Sequence, residues 1–369
     1  MKKKIGMTGL FLAGLAVAFA ACSADTDNEG EKQTSITPYS LTAVVPNADV
    51  PQVLKVLAAH IEGRDDTLDG LPDDWLVAGA QQLPSGAHPS QAAMNLPGET
   101  KLLEVCNHTY AGQAMAFGGH HGVALPCKIA LVKGNEGVEV YLLNPEAIFG
   151  AFFWDVPAEY AENMAGLAAT VRGELEGVIA SALEPMGADF PMEDVGPVWM
   201  AEDMGNMMDM SYSVEFAIEI PVEHEGDEVA EQLFKEEVVW AIMEALTYEG
   251  MEGKESVGSQ IEGLSVNDWH AARPTPVSLP GGISLISMCS STYASAALST
   301  GLHHAPALPC RSAVWVKDGR VHVHLLDPGF MFPVFFGDVP QEQMESMGGM
   351  AQAVRQDLTL IIETALQQF

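Results

Sequence analysis

The chain has 369 residues, of which 48% are hydrophobic, and its formal net charge at pH 7 is −33. This charge repels phosphate backbones, which excludes nucleic acid as a partner. The length suffices for two domains of about 150 residues each. Because the acidic residues are spread along the chain and not gathered in a tail, we interpret them as an adaptation for solubility or high salt.

The first 22 residues have the pattern of an export signal. Lysines at 2–4 precede a short apolar run over residues 5–18, and small residues lead to Cys22. This pattern resembles a bacterial lipoprotein signal, in which residues 1–21 are removed and Cys22 is lipidated. The resemblance implies an envelope protein held to the membrane by that lipid. Ser23 after the cysteine favours the outer membrane, facing the periplasm, while an uncleaved anchor or an ordinary secretory signal stays an alternative.

After a polar tether over residues 22–37, the chain shows alternating strand and helix patterns. The predicted elements of the first half are a strand at 39–45, a helix at 51–61, a loop-rich stretch at 63–98, a strand at 101–106, a short helix at 110–117, strands at 127–133 and 138–143, and a long helix at 157–183. The second half repeats this order, with its first strand at 211–221 and its closing helix at 340–368.

The two halves are copies of one unit. Residues 96–172 align without a gap with residues 279–355 at an offset of 183, and about 35 of the 77 positions are identical. We therefore predict a first repeat over 38–185, a Met-rich acidic linker over 186–210 and a second repeat over 211–369. The element order predicts an α+β fold, with two similar two-layer domains arranged as a pseudo-dimer. In each, a mainly antiparallel or mixed sheet has its helices on one face.

A family resemblance follows from the best-matched residues. The first copy has Cys-Asn-x-x-Tyr-Ala at 106–111 and Leu-Pro-Cys at 125–127, before a Val-x-Val hairpin. The second copy keeps this pattern, with Ser290 in place of Asn107. The chain resembles the bacterial family called domain of unknown function 302. The proline that the family usually has in the first turn is His108 in one copy and Ser291 in the other. The resemblance implies a fold and very little about function.

Each copy contains two cysteines at matched spacing. An even number of cysteines in an exported protein favours disulfides, which would close each loop as a staple. We expect the bridges to join Cys106 to Cys127 and Cys289 to Cys310. Buried free thiols that pack as small hydrophobic groups are the alternative.

A pair of neighbouring histidines lies between the two cysteines of each copy. The pairs are His120 with His121 and His303 with His304. With the cysteines they supply the atoms of a zinc or copper centre, although no cofactor is the first expectation. Neighbouring histidines on a strand point to opposite faces, so both could reach one ion only from a loop. The glycines before His120 allow such a loop.

Methionines are concentrated between the copies. Thioethers suit Cu(I), but a linker that packs its methionines against both domains explains them more simply. The weak soft-metal candidates are Met200, Met204, Met207, Met208 and Met210.

Three other features receive an ordinary structural interpretation. His322 and His324 share one face of a strand, which we interpret as solvated. Asp155 and Asp338 each lie two residues before a helix-opening proline, which favours helix capping. The sequence contains no Cys-x-x-Cys, nucleophile elbow or phosphate loop, which weakens any prediction of catalysis.

The expected function is therefore non-catalytic binding or envelope scaffolding. The partner is a small ligand, a metal ion or another envelope protein. A binding protein predicts a pocket between the copies lined by the four paired histidines, whereas a scaffold predicts rings that are exposed or satisfied by backbone. Copper or zinc handling is the first alternative, and thiol redox catalysis by an activated cysteine is the second.

Overall fold

The computed structural model describes residues 35–63, 75–200, 207, 211–248, 261–273 and 275–369. The predicted signal peptide, Cys22 and the methionines at 204, 208 and 210 lie outside the described residues. In the part of the chain that is described, no helix is both long and apolar enough to cross a membrane.

The first half contains one seven-stranded sheet with the strand order β3-β5-β6-β7-β2-β8 and with β4 paired to β5. Every pairing in it is antiparallel. Two short strands, β1 and β9, pair with each other outside it. The strands are β1 (Ser35–Ile36), β2 (Tyr39–Pro46), β3 (Trp75–Val77), β4 (Met94–Leu96), β5 (Thr100–Asn107), β6 (Cys127–Lys133), β7 (Gly137–Leu143), β8 (Glu193–Val195) and β9 (Trp199–Met200). The helices are α1 (Val50–Glu62), α2 (His108–Met115), α3 (Pro145–Phe152) and α4 (Ala158–Leu183).

The second half repeats this plan with the strand order β10-β16-β15-β14-β12-β11 and with β13 paired to β14. Its strands are β10 (Ser213–Glu219), β11 (Thr247–Tyr248), β12 (Trp269–Ala271), β13 (Val277–Leu279), β14 (Ile283–Ser290), β15 (Cys310–Lys317) and β16 (Arg320–Leu326). Its helices are α5 (Glu228–Ala245), α6 (Ser291–Leu298), α7 (Pro328–Phe335) and α8 (Gln341–Leu366). Among the strands that the structure describes, only β11 and β12 pair in parallel. The predicted α+β fold with two similar halves is confirmed.

Local sequence explains why corresponding helices begin at the same places. The side chains of Asn107 and Ser290 accept a hydrogen bond from the backbone two or three residues into α2 and α6. Asn144 and Asp327 do the same for α3 and α7, each of which has a proline in its first turn. These caps satisfy amides that the first helical turn leaves unpaired.

The alternation of side chains along the strands gives each sheet two buried faces. In β16, Val321, Val323 and Leu325 belong to the core formed with α5 and α8. On the other face of this sheet, Ala313 and Trp315 belong to a core shared with the first half. The helices therefore cover one face of each sheet, and the other repeat covers the opposite face.

The two repeats contact each other reciprocally through short 3₁₀ turns. The turn Gly119–Ala124 of the first repeat packs on β15 of the second, and the turn Leu302–Ala307 packs on β6 and β7 of the first. A Cβ atom at Gly122 would lie only 3.3 Å from Ala313 and Ile283, so the turn approaches the opposite sheet closely at this residue. The arrangement is that of an isologous dimer built within one chain.

Buried charges lie at the centre of this interface. Arg311 forms an ion pair with Glu104 and donates to the Leu125 carbonyl of the opposite repeat. Its counterpart Lys128 donates to the Leu308 carbonyl at 2.8 Å. The proline after each of these leucines is cis.

The predicted disulfides do not form: in the described part of the chain, no disulfide joins the cysteines of the repeats. The reason lies in the strand register. Cys127 is directly opposite Val105, and Cys310 is directly opposite Met288, so each first cysteine lies one residue beyond the paired position. This offset of one residue keeps the two cysteines of a repeat out of the directly paired cross-strand position.

Candidate metal centre

A carboxylate joins the histidine pair of the first repeat. His120 Nε2 lies 2.8 Å from Asp155 Oδ2, and His121 Nε2 lies 2.8 Å from Asp155 Oδ1. The three side chains place one ligand atom each within 4.8 Å of one another. Two imidazoles and one carboxylate thus converge on one point at the interface.

The second repeat contains the same group. His303 Nε2 lies 2.7 Å from Asp338 Oδ2, and His304 Nε2 lies 3.0 Å from Asp338 Oδ1. We refer to His120, His121 and Asp155 as the first triad, and to His303, His304 and Asp338 as the second triad. In the described part of the chain the four paired histidines belong to two separate groups. A pocket that all four line stays a prediction.

The interpretation of the two aspartates as helix caps is wrong. The N-caps of α4 and α8 are Pro157 and Pro340, and neither has a side-chain capping bond. Asp155 and Asp338 instead turn toward the histidines 34 and 35 residues earlier in the chain. Their presence in both copies of Phe-Phe-x-Asp-Val-Pro was the sequence signal, but nothing local connected them to the histidines.

The histidines of each pair lie in a loop, which is the conformation predicted for two adjacent histidines that face one point. Both pairs lie in a 3₁₀ turn and not on a strand. A Cβ atom at Gly118 would overlap the His120 ring, so glycine is needed for the ring to fold back over the turn. The two rings of the first triad lie 4.2 Å apart between centroids, and those of the second lie 4.1 Å apart.

The two histidines of a triad differ in burial. His121 and His304 have no exposed surface, whereas about a quarter of the side chain of His120 and His303 is exposed. The ring of Phe153 stacks on His121 at 4.3 Å, and Phe336 contacts His304 at 4.5 Å. Each triad therefore has a buried, fixed side and a side that is open to solvent.

Burial and hydrogen bonding set the protonation of these groups. Burial lowers the pKa of His121 and of His304, although the adjacent aspartate partly opposes this. Burial alone would raise the pKa of Asp155 and Asp338, but the two histidines beside each carboxylate hold its pKa well below the usual range. The triads thus combine an ionised carboxylate with a neutral buried imidazole.

The tautomer of His304 follows from its second partner. Thr300 Oγ1 lies 2.6 Å from the Ala297 carbonyl, so the hydroxyl must donate its proton there. The same oxygen lies 2.8 Å from His304 Nδ1 and can only accept, so Nδ1 bears the proton. A neutral His304 therefore directs the lone pair of Nε2 at the ionised Asp338. Phe117 takes the place of Thr300 in the first repeat, where no hydroxyl is available.

Tyrosines from the opposite repeat complete the surroundings. Tyr39 lies 5.7 Å from His303 and 5.8 Å from His304 between ring centroids, and its hydroxyl donates to the Phe335 carbonyl. Tyr212 stacks near His120 at 6.2 Å. Its buried hydroxyl has no hydrogen-bond partner among the described residues. Burial raises the pKa of both tyrosines, and the aspartate of the neighbouring triad adds to the effect.

The cysteines and methionines do not join these groups in the described part of the chain. The potential metal-ligating groups contain no cysteine, so the predicted Cys-His-His-Cys centre is not assembled. Cys106, Cys127, Cys289 and Cys310 pack with apolar neighbours. Met207 is buried in the shared core and Met200 is half-buried in β9, which leaves the soft-metal hypothesis without structural support from these two residues.

The triads lie within two matches to a known family model. The model described as domain of unknown function DUF302 matches residues 85–182 and 279–365, which together cover half of the chain. The chain belongs to the DUF302 family. Its two DUF302 regions correspond to the two repeats and contain all six triad residues, whereas Tyr39 and Tyr212 lie outside them.

Other comparisons add little. One similar solved structure is described as an uncharacterized conserved protein DUF302 from Bacillus stearothermophilus. The identity is 16% and the TM-score 0.25, and the match covers 40% of this chain and 96% of that one. No curated protein matches the chain. Any functional conclusion must therefore come from the geometry of the DUF302 repeats themselves.

Proposed function

We propose that this protein is a non-catalytic metal-binding protein that holds a divalent transition-metal ion, zinc or copper, at each triad. The observation that supports this most is the 3.0 Å separation between His304 Nε2 and Asp338 Oδ1, in a ring whose Nδ1 faces the Thr300 hydroxyl and is assigned the proton. Two electron-rich atoms approach this closely only if a proton or a cation lies between them. Since burial disfavours the protonated ring, a metal cation fits the position better.

The ligand chemistry supports the same proposal. Imidazole nitrogen suits zinc and copper, and a carboxylate oxygen completes a set of three protein ligands with positions left for water. Thr300 serves as an outer partner that fixes the His304 ring, which is a common feature of metal-bound histidines. The ion would be bound partly by the buried imidazole and remain reachable from the exposed one.

A purely structural role is the competing explanation. In it, each aspartate only accepts hydrogen bonds from the two histidines and so fixes the 3₁₀ turn against the opposite sheet. Such a role needs a proton on both Nε2 atoms. For His304 this requires a charged ring with no exposed surface. Metal binding avoids that cost.

The cellular setting is part of the proposal. The resemblance of residues 1–22 to a lipoprotein signal supports a protein anchored in the envelope through Cys22, with its repeats in the periplasm. Incorporation of labelled palmitate that is lost in Cys22→Ala would support this placement, and unchanged labelling would contradict it.

The test is a metal count on chelator-treated protein after addition of Zn²⁺, by native mass spectrometry. We expect Asp155→Asn and Asp338→Asn each to remove one bound ion, and the double variant to remove two. Asn keeps the shape of the side chain but removes the charge that neutralises the cation. Co²⁺ in place of zinc reports the ligand set through its visible absorption.

Asp318→Asn is the matched control, because Asp318 lies in an exposed hairpin turn at φ 51°, where asparagine is equally tolerated. This variant should bind as much metal as the unmodified protein. If the double triad variant also binds the unchanged amount, or if the unmodified protein binds none, the proposal is wrong and the triads are structural hydrogen-bonded groups.

A further inference from the structure

A third group of potential ligands lies on the second repeat, outside both triads. Glu215 of β10 is directly opposite His324 of β16 in the strand register, and His322 is two residues before His324 on the same face. Glu215 Oε1 lies 3.1 Å from His322 Nδ1 and 3.4 Å from His324 Nε2. The interpretation of these histidines as a solvated face is wrong, since their side chains are 17% and 12% exposed.

The orientation of His322 is determined by a backbone carbonyl. His322 Nε2 lies 3.3 Å from the Lys317 carbonyl, which can only accept, so Nε2 bears the proton. In the neutral ring, the lone pair of Nδ1 then points at the Glu215 carboxylate. This is the same contact between a lone pair and a carboxylate as in the second triad.

His324 is held in a similar way. Its Nδ1 lies 3.1 Å from Ser213 Oγ, which leaves Nε2 for Glu215. Trp315 covers the group from the sheet, with its ring parallel to His322 at 5.4 Å and tilted to His324 at 4.7 Å. Both imidazoles therefore have an outer hydrogen-bond partner and an aromatic wall, which is how metal ligands are positioned in proteins.

The group faces the first triad across the interface. The ring centroid of His324 lies 6.1 Å from that of His120. Tyr212, whose hydroxyl has no partner among the described residues, contacts the same His120 ring. Buried hydroxyls normally have a partner, so Tyr212 marks an unsatisfied polar position beside His120.

The first repeat has no equivalent group. The register places Leu41, Glu139 and Tyr141 at the positions of Glu215, His322 and His324. Tyr141 donates to Glu139 at 2.8 Å, so these two side chains satisfy each other. Only one side of the pseudo-dimer can therefore present the Glu-His-His group.

We propose that Glu215, His322 and His324 form a third binding site for a divalent transition-metal ion, next to the first triad and absent from the second. Two nitrogens and one carboxylate oxygen suit Zn²⁺ or Cu²⁺. The site shares no ligand with the triads, so its existence can be tested separately from metal binding at the triads.

The experiment counts Zn²⁺ on the full chain by native mass spectrometry after chelator treatment. We expect three ions on the unmodified protein and two on both Glu215→Gln and the His322→Gln/His324→Gln variant. The Asp155→Asn/Asp338→Asn variant should keep one ion, which Glu215→Gln then removes. Because Glu215 is 54% exposed, its substitution should not affect folding.

The matched control is Glu139→Gln/Tyr141→Phe at the corresponding positions of the first repeat, which should keep all three ions. If Glu215→Gln and the histidine variant bind as many ions as the unmodified protein, the third site does not exist. If the triad variants bind the full number while Glu215→Gln loses one, the third site stands and the proposed function of the triads fails.

Discussion

The two triads share a geometry but have different surroundings. The first faces Glu215, His322 and His324 of the opposite sheet, and the adjacent Tyr212 hydroxyl has no partner among the described residues. The second faces Tyr39, whose hydroxyl is bound to the Phe335 carbonyl. Duplication thus preserved the local ligand set, while the sheet face presented by the other repeat diverged. What distinguishes the two sites comes from the opposite repeat.

The interface charges differ in the same way. Arg311 and Lys128 occupy equivalent positions, and both donate to the carbonyl before a proline of the opposite repeat. Only Arg311 also pairs with a buried carboxylate, Glu104, which Arg273 contacts as well. Burial lowers the pKa of Lys128 well below its usual range, with Arg311 adding to the effect. The second repeat therefore supplies the stronger electrostatic link.

The largest effect is expected from a substitution that removes the ion pair between Arg311 and Glu104. Arg311→Met should lower the free energy of unfolding by about 3–5 kcal/mol, because it removes one partner of a buried ion pair. Lys128→Met should cost about 1–3 kcal/mol, the penalty for leaving buried acceptors without donors. Urea unfolding followed by circular dichroism measures both values.

Arg320→Met serves as the control, since Arg320 pairs with Glu219 on the surface and its loss should cost no more than about 1 kcal/mol. An equal or larger cost for Lys128→Met than for Arg311→Met would contradict the conclusion that the second repeat supplies the stronger electrostatic link.

A smaller effect on zinc affinity should distinguish the second triad from the first. Thr300→Val removes the acceptor of His304 Nδ1, so we expect the zinc affinity of the second triad to fall about 10- to 100-fold. The measurement is a competitive zinc titration in the Asp155→Asn/Glu215→Gln background, where only the second triad remains. Thr300→Ser keeps the hydroxyl and should retain the affinity, and a valine variant with unchanged affinity would mean that this hydrogen bond does not orient the ligand.

The smallest difference between the repeats concerns their thiols. Burial raises the pKa of Cys106 and Cys127 to about 12 and that of Cys310 to about 11, from 9.0. At pH 8 only about one Cys310 thiol in a thousand is then ionised. Iodoacetamide should label these cysteines slowly in the native state and rapidly in urea.

The direction of the pH effect on stability follows from the raised pKa values. The unfolded thiols ionise near pH 9 and the folded ones only near pH 11–12. The contribution of the thiols to stability should therefore be constant below pH 9 and fall as the pH rises through this window. Rapid labelling of the native protein at pH 8 would contradict the burial of these thiols.

Sequence patterns were sufficient for the fold because it is encoded locally. The gapless match of residues 96–172 with 279–355 identified the duplication, and caps such as Asn107 and Ser290 marked helix starts. Alternating residues such as Val321 and Val323 identified the strands. The disulfide prediction failed because it depended on a one-residue register between β5 and β6, which spacing alone does not specify.

By itself, the sequence determined the repeat, the fold class and the histidine pairs, since all of these follow from identity, periodicity and local capping. Only the tertiary structure decided which carboxylate faces each pair, because Asp155 and Asp338 approach from more than 30 residues away. It also decided that Glu215 and the histidines at 322 and 324 face His120, a contact between repeats. Convergence of side chains from distant segments depends on tertiary packing, and no single segment of the sequence specifies that packing.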